Sequence, residues 1–133
     1  MKGPNTTPRL GIPEMDAQHD YLYGLFDRIE TETSQGEMAA LLHEIEGYLD
    51  FHFTSEEHFI RHYKVPNVAA HQGDHEQAAE AFFRHVASFE NGSLNPARFH
   101  NAMVGWLSEH TEAVDMKYAE LVRKLRSEIA ESP

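Results

Sequence analysis

The sequence predicts an all-α fold, an up-down-up-down four-helix bundle preceded by an extended N-terminal arm. Three observations carry that prediction. Apolar residues recur at alternating three- and four-residue intervals through four long stretches, no stretch alternates with period two for long enough to make a strand, and the breaks are short, so consecutive helices must run antiparallel. At 133 residues the chain suits one buried core, and a single domain over 1–133 is expected.

The arm, 1–13, holds prolines at 4, 8 and 13 and glycines at 3 and 11, which excludes helix, and it is expected to lie across the bundle. The first helix is expected over about 16–33, with Asp16 as N-cap and Met15, His19, Leu22, Phe26 and Ile29 facing inward. TSQG, punctuated by Gly36, breaks it. The second helix, about 37–64, turns Met38, Leu41, Ile45, Leu49, His52, Glu56, Phe59 and Tyr63 inward. Pro66 ends it, because proline disfavours helical geometry in the residue before it, and KVPN is the turn. The third helix, 68–90, has Val68, His71, His75, Ala78 or Ala79, Phe82, Val86 and Phe89 inward, and NGSLNP is a loop. The fourth, about 97–129, presents Phe99, Met103, Trp106, Leu107, His110, Val114, Tyr118, Leu121 and Leu125.

Polar residues interrupt these apolar stripes on every helix. Five histidines, His19, His52, His71, His75 and His110, lie in them, accompanied by Glu56 and Asp115. Residues four apart leave one helix face about a turn apart, so His52 with Glu56 and His71 with His75 can each share an ion. One inward histidine is more often a hydrogen-bonded core residue than a ligand. Seven polar groups buried without partners would cost about 1–3 kcal/mol each, a penalty that metal binding removes. Seven ligands exceed the four of a tetrahedral zinc, so two ions are implied. Two carboxylates among five neutral imidazoles suit two divalent first-row metals ~3.5–4 Å apart, bridged by both carboxylates. Iron is expected, although ligand type alone also admits manganese and zinc.

The other histidines form an internal control. His58 and His62 point well away from the His52 and Glu56 side, His43 falls opposite His52, and His85 and His100 sit at stripe edges; none is assigned to the metal. His110 and Asp115 are five apart, a turn of about 140° on a regular helix, so either the site lies between their directions or the helix carries a π-type bulge.

Composition excludes several functions. Acidic residues outnumber basic ones 22 to 11, and a net charge of -11 argues against a nucleic-acid backbone or an anionic membrane as partner. Without cysteine there is no disulfide, thiolate ligand or thiol nucleophile. No apolar run approaches a membrane span and no secretory h-region opens the chain, so a cytoplasmic location is expected. No helix shows a second apolar stripe, and a monomer is expected.

Taken together, MDAQH (15–19) with Leu22, HFTSEEHF (52–59), Tyr63 with Pro66 and HQGDH (71–75), and WLSEHTEAVDMKY (106–118) make the sequence resemble the hemerythrins, particularly the single-domain bacterial form. The resemblance implies a non-haem di-iron site that binds dioxygen reversibly, for storage, delivery or sensing. It implies His71, His75 and His110 on one iron, and His19 and His52 on the other with one position open. Glu56, Asp115 and an oxo or hydroxo group would bridge the two. Trp106 and Leu107 would line the pocket, and Tyr118 could support the ligands by a hydrogen bond. The chain departs from the usual family pattern at Thr111, where isoleucine is common, and at Asp27, where asparagine is common. At Thr111 the hydroxyl either meets the ligand pocket and hastens oxidation, or bonds back to the carbonyl of Leu107 or Ser108. Two other functions compete: a di-iron oxidase or peroxidase, and a signalling module whose iron reports oxygen. Histidines outnumber carboxylates five to two, which favours the carrier.

Overall fold

The computed structural model describes residues 8–32 and 34–131. Helices α1 (Pro13–Thr31), α2 (Gln35–His62), α3 (Val68–Glu90), α4 (Pro96–His110) and α5 (Met116–Glu131) make up the bundle, with α4 and α5 joined by a π-helical turn (Thr111–Asp115) into one continuous rod. Packing runs α1 against α2 and α4, and α3 against α2 and α4, which closes the antiparallel ring. Strands are absent among the described residues, as the sequence predicts, and no helix is long and apolar enough to cross a membrane.

The helix starts differ from expectation in informative ways. Helix α1 begins at Pro13, three residues before the predicted Asp16 cap, because proline at the first helical position has its φ preset and no N–H to satisfy. Asp16 is therefore not the N-cap. It sits buried in the first turn and accepts hydrogen bonds from the arm, from Leu10 N–H at 2.8 Å and Gly11 N–H at 3.2 Å. Helix α1 stops at Thr31; residue 33, the predicted end, lies outside the described residues. Gly36 does not break the chain but lies in the first turn of α2, whose cap is Ser34, accepting from Glu37 N–H at 3.0 Å. The turn before α3 closes through two left-handed residues, Lys64 and Asn67, and α3 has the predicted bounds.

Two apolar clusters flank the inward polar residues. The larger joins all four helix stripes from Leu22 and Ile29 through Met38, Ile45 and Phe82 to Phe99 and Leu107. The smaller gathers Met15, Ile60, Tyr118, Ala119 and Val122, and the arm completes it with Leu10 and Ile12, both without solvent exposure. The described part of the arm thus lies across the bundle as expected. Gly11 lets it do so, with a φ of +76° that disfavours any side chain and with Arg123 Cδ 3.0 Å from where a Cβ would stand.

Beyond the π turn the inward phase moves by one residue. Asp115, Ala119 and Val122 are buried, whereas of the residues inward on an uninterrupted count only Tyr118 is buried and Val114, Leu121 and Leu125 are half-buried. A turn that closes five residues apart holds one residue more than an α turn, so every later side chain is rotated relative to the unbroken helix.

Candidate metal centre

Between the two clusters, His19 comes from α1, His52 and Glu56 from α2, His71 and His75 from α3, His110 from the end of α4 and Asp115 from the end of the π turn. All seven are buried, and Glu56 and Asp115 have no solvent exposure. The π turn resolves the five-residue spacing by bringing Asp115 round to the side that His110 faces: Asp115 Oδ1 lies 3.0 Å from His110 Nε2.

Each carboxylate faces two ways. Glu56 Oε1 lies 2.6 Å from His71 Nε2, 3.0 Å from His75 Nε2 and 3.4 Å from His110 Nε2, while its Oε2 lies 3.7 Å from His52 Nε2 and 3.8 Å from His19 Nε2. Asp115 repeats the division, with Oδ1 3.0 Å from His71 and His110, and Oδ2 3.5 Å from His19. Two groups of converging donor atoms result, one of Glu56, His71, His75 and His110, the other of His19, His52 and Glu56.

The donor chemistry fits metal. Both ring nitrogens of His19 and Nε2 of His52 are buried with no hydrogen-bond partner, and the nearest imidazole to Asp115 Oδ2, also without one, is His19 at 3.5 Å. Groups so placed converge on common points rather than on one another. Left unsatisfied they would cost about 1–3 kcal/mol apiece, and a cation between them removes that cost.

Electrostatics supports the same reading. Burial alone would raise the carboxyl pKa of Glu56, but the surrounding imidazoles hold it well below the usual carboxylate range. Burial pulls His71 and His110 down, yet the facing Asp115 and Glu56 carboxylates outweigh it and hold them up at about 9 and about 10. Burial takes His52 down to about 4. In the metal-free protein His71 and His110 are thus protonated at neutral pH, and their stabilisation is complete below the unfolded imidazole value of about 6.5. That stabilisation is lost as pH climbs through their raised values. A metal must displace both protons, so binding at pH 7.5 is expected to release about two protons per chain. Titration with divalent metal in weakly buffered solution, followed by a pH indicator, measures the release; none at all would contradict the protonated pair.

The outer nitrogens show how the rings are aimed. His52 Nδ1 meets Gln18 Oε1 at 2.7 Å, His75 Nδ1 meets Glu57 Oε2 at 2.9 Å, and His110 Nδ1 is paired with Asp74. These supports circulate: α1 serves α2, α2 serves α3 and α3 serves α4. Such hydrogen bonds fix the tautomer, leaving Nε2 free as a ligand atom. The sequence reading missed all three, though a signal was present. Gln18, Glu57 and Asp74 each adjoin a ligand in the chain, so each points about 100° round its helix, toward the neighbouring one.

Other candidates fall as follows. The Tyr118 hydroxyl donates to Glu56 Oε2 at 3.0 Å, and burial together with the two carboxylates raises its pKa so far that it keeps its proton. Leu107 is fully buried, and the half-buried Trp106 stacks on His110 with ring centroids 4.9 Å apart. His43, His58 and His62 are exposed; His85 stacks on Phe99, and His100 pairs with Asp27 at 2.9 Å, which gives Asp27 a role away from the centre. Thr111 is fully buried, but its hydroxyl donates to Leu107 carbonyl at 2.7 Å within its own helix. The expected proton donor near the ligand is therefore already engaged. Thr111→Val, which keeps the shape and removes the hydroxyl, is expected to leave the lifetime of any oxygen adduct within about twofold, and adduct decay followed in both proteins checks it.

The family model of the hemerythrin HHE cation binding domain matches residues 10–122. Those bounds fall on Leu10 and Val122, both of the smaller apolar cluster. Comparison with curated proteins and with solved structures gives no significant match.

Proposed function

Because this chain belongs to the hemerythrin family, with a buried histidine and carboxylate cluster of the cation-binding kind, we propose that it binds dioxygen reversibly at a pair of iron ions, as a store, carrier or sensor. The observation that carries the reading is the two-way facing of Glu56 and Asp115, one oxygen of each toward His71 and His110 and the other toward His19. His71, His75 and His110 would hold one ion and His19 with His52 the other, with both carboxylates shared. When bound, two ferrous ions supply the two electrons that dioxygen takes up on binding and returns on release.

The chain's own residues set the conditions for reversal. Glu57, Asp74 and Gln18 hold three imidazoles in fixed orientation, so the ligand set need not reorganise. Tyr118, with its proton retained, restrains Glu56. Trp106, Leu107 and Phe53 keep water from the imidazoles on the side of the larger cluster. Five neutral imidazoles against two carboxylates favour a carrier over an oxidase, since anionic ligands stabilise the ferric state more strongly. The protein would work as a monomer.

Metal analysis of iron-loaded protein is expected to give two irons per chain. Its ferrous form should gain a visible charge-transfer band under oxygen and lose it when oxygen is removed, over repeated cycles. Ferric protein and free hydrogen peroxide after a single exposure would instead favour the oxidase reading, and one zinc per chain would overturn the di-iron assignment.

A further inference from the structure

A cavity of about 390 Å³ opens between α2 and α3. Its lining includes Leu49, Phe53, Phe82 and Phe83, with the small residues Gly47 and Ala79 making room on either side. The polar lining residues, His43, Glu46 and Asp50, are all exposed and so belong to its mouth. Phe53 is the inner wall. Its ring lies flat on His75 at a centroid separation of 4.1 Å, meets Trp106 edge-on at 5.6 Å and approaches His52 at 5.9 Å. One aromatic ring therefore separates an apolar cavity from imidazoles of both donor groups.

A second cavity, of about 490 Å³, reaches His71 and Tyr118; exposed Lys117 belongs to its mouth, but the half-buried carboxylate of Asp74, paired with His110, stands in its wall. The two differ in what they would admit. Charged walls hold water, whereas an apolar cavity is hydrated poorly and takes up small nonpolar species such as xenon. Dioxygen is small, nonpolar and uncharged. Rotation of a single buried side chain is a fast local motion compared with any opening of the bundle.

We propose that the α2–α3 cavity is the access route for dioxygen, with Phe53 as its gate. The inference rests on the dioxygen-binding reading above and specifies how the ligand reaches that site. A route acts on entry and exit alike, so altering it changes the association and dissociation rates by one common factor and leaves affinity unchanged. A residue that touched the bound ligand would change affinity.

Gly47 offers a way to close the cavity without disturbing the core. A Cβ built there meets nothing within 4 Å, and glycine is a poor helix former, so a side chain is tolerated. With Gly47→Phe, oxygen association and dissociation, followed by flash photolysis or stopped flow, should both slow about tenfold, equivalent to about 1.4 kcal/mol of added barrier. Phe53→Leu should speed both. Independently of iron, crystals pressurised with xenon should show it beside Phe53 in the wild type and not in Gly47→Phe. Xenon found only beside Lys117, or rates untouched by Gly47→Phe in a protein that still takes up oxygen, overturns the route and leaves the carrier reading standing. A wild type that takes up no oxygen overturns both.

Discussion

Glu56→Ala is expected to remove nearly all bound metal and to lower the stability of the metal-free chain, whereas His58→Ala, two residues further along α2, should do neither. Glu56 has no solvent exposure, faces five imidazoles and accepts the Tyr118 hydroxyl. Its loss takes a ligand from both donor groups at once. It also takes from the protonated His71 and His110 one of the two buried carboxylates that face their Nε2 atoms, leaving Asp115 there and Asp74 on the outer nitrogen of His110, and removing one partner of a buried charge pair costs about 3–5 kcal/mol. His58 is exposed on the other side of the helix. Metal content and urea denaturation of the two variants make the comparison, and equal metal loss in both would mean that the inward face of α2 has been misassigned.

Leu10→Ala and Ile12→Ala should each lower stability by about 2–5 kcal/mol, the range for emptying a fully buried large aliphatic site. That is an unusual expectation for residues that precede the first helix. Both are completely buried against Met15, Ile60, Tyr118, Ala119 and Val122, and the backbone between them is tied to Asp16. Neighbouring side chains come from three different helices, which limits how far the gap can collapse. The denaturation midpoint should fall with the slope unchanged, because the arm is part of the cooperative unit. A midpoint within the error of wild type would place the arm outside that unit. Tyr118 belongs to the same cluster and holds Glu56, so metal should also leave these variants faster.

Most of the bundle was legible because its inward residues keep helical spacing over long stretches. The predicted stripe of α2 is buried from Met38 through Leu41, Ile45, Leu49 and His52 to Glu56, its last two members, Phe59 and Tyr63, are half-buried against the smaller cluster, and the bounds of α3 agree residue for residue. What escaped was local and depended on competition. Asp16 is a good cap by type, yet Pro13 starts the helix earlier, and the freed carboxylate binds amides of the arm. Gly36 looks like a breaker until Ser34 supplies the cap that lets the helix absorb it. Five histidines and Glu56 declared themselves by interrupting apolar stripes; Asp115 lay off the predicted stripe, and the π turn brings it to join the other six. Gln18, Glu57 and Asp74 interrupt nothing; their partners lie on other helices, and only the bundle's order reveals them. The Thr111 hydroxyl had two partners available, and the nearby backbone carbonyl took it.

The wide turn at Thr111–Asp115 makes chain length, as distinct from residue type, a control on the centre. An α-helical rod with His110 and a carboxylate on one face needs them four apart; here one further residue is accommodated by closing the turn more loosely. Deletion of exposed Glu112 or Ala113 would restore four-residue spacing and keep both groups, and everything beyond them, on their present sides. Deletion of a residue between Asp115 and Val122, where no slack exists, would swing the following apolar face out of the bundle. Deletions are thus unequal along this one rod: near the metal the loss of one residue can be absorbed, and one turn later it cannot.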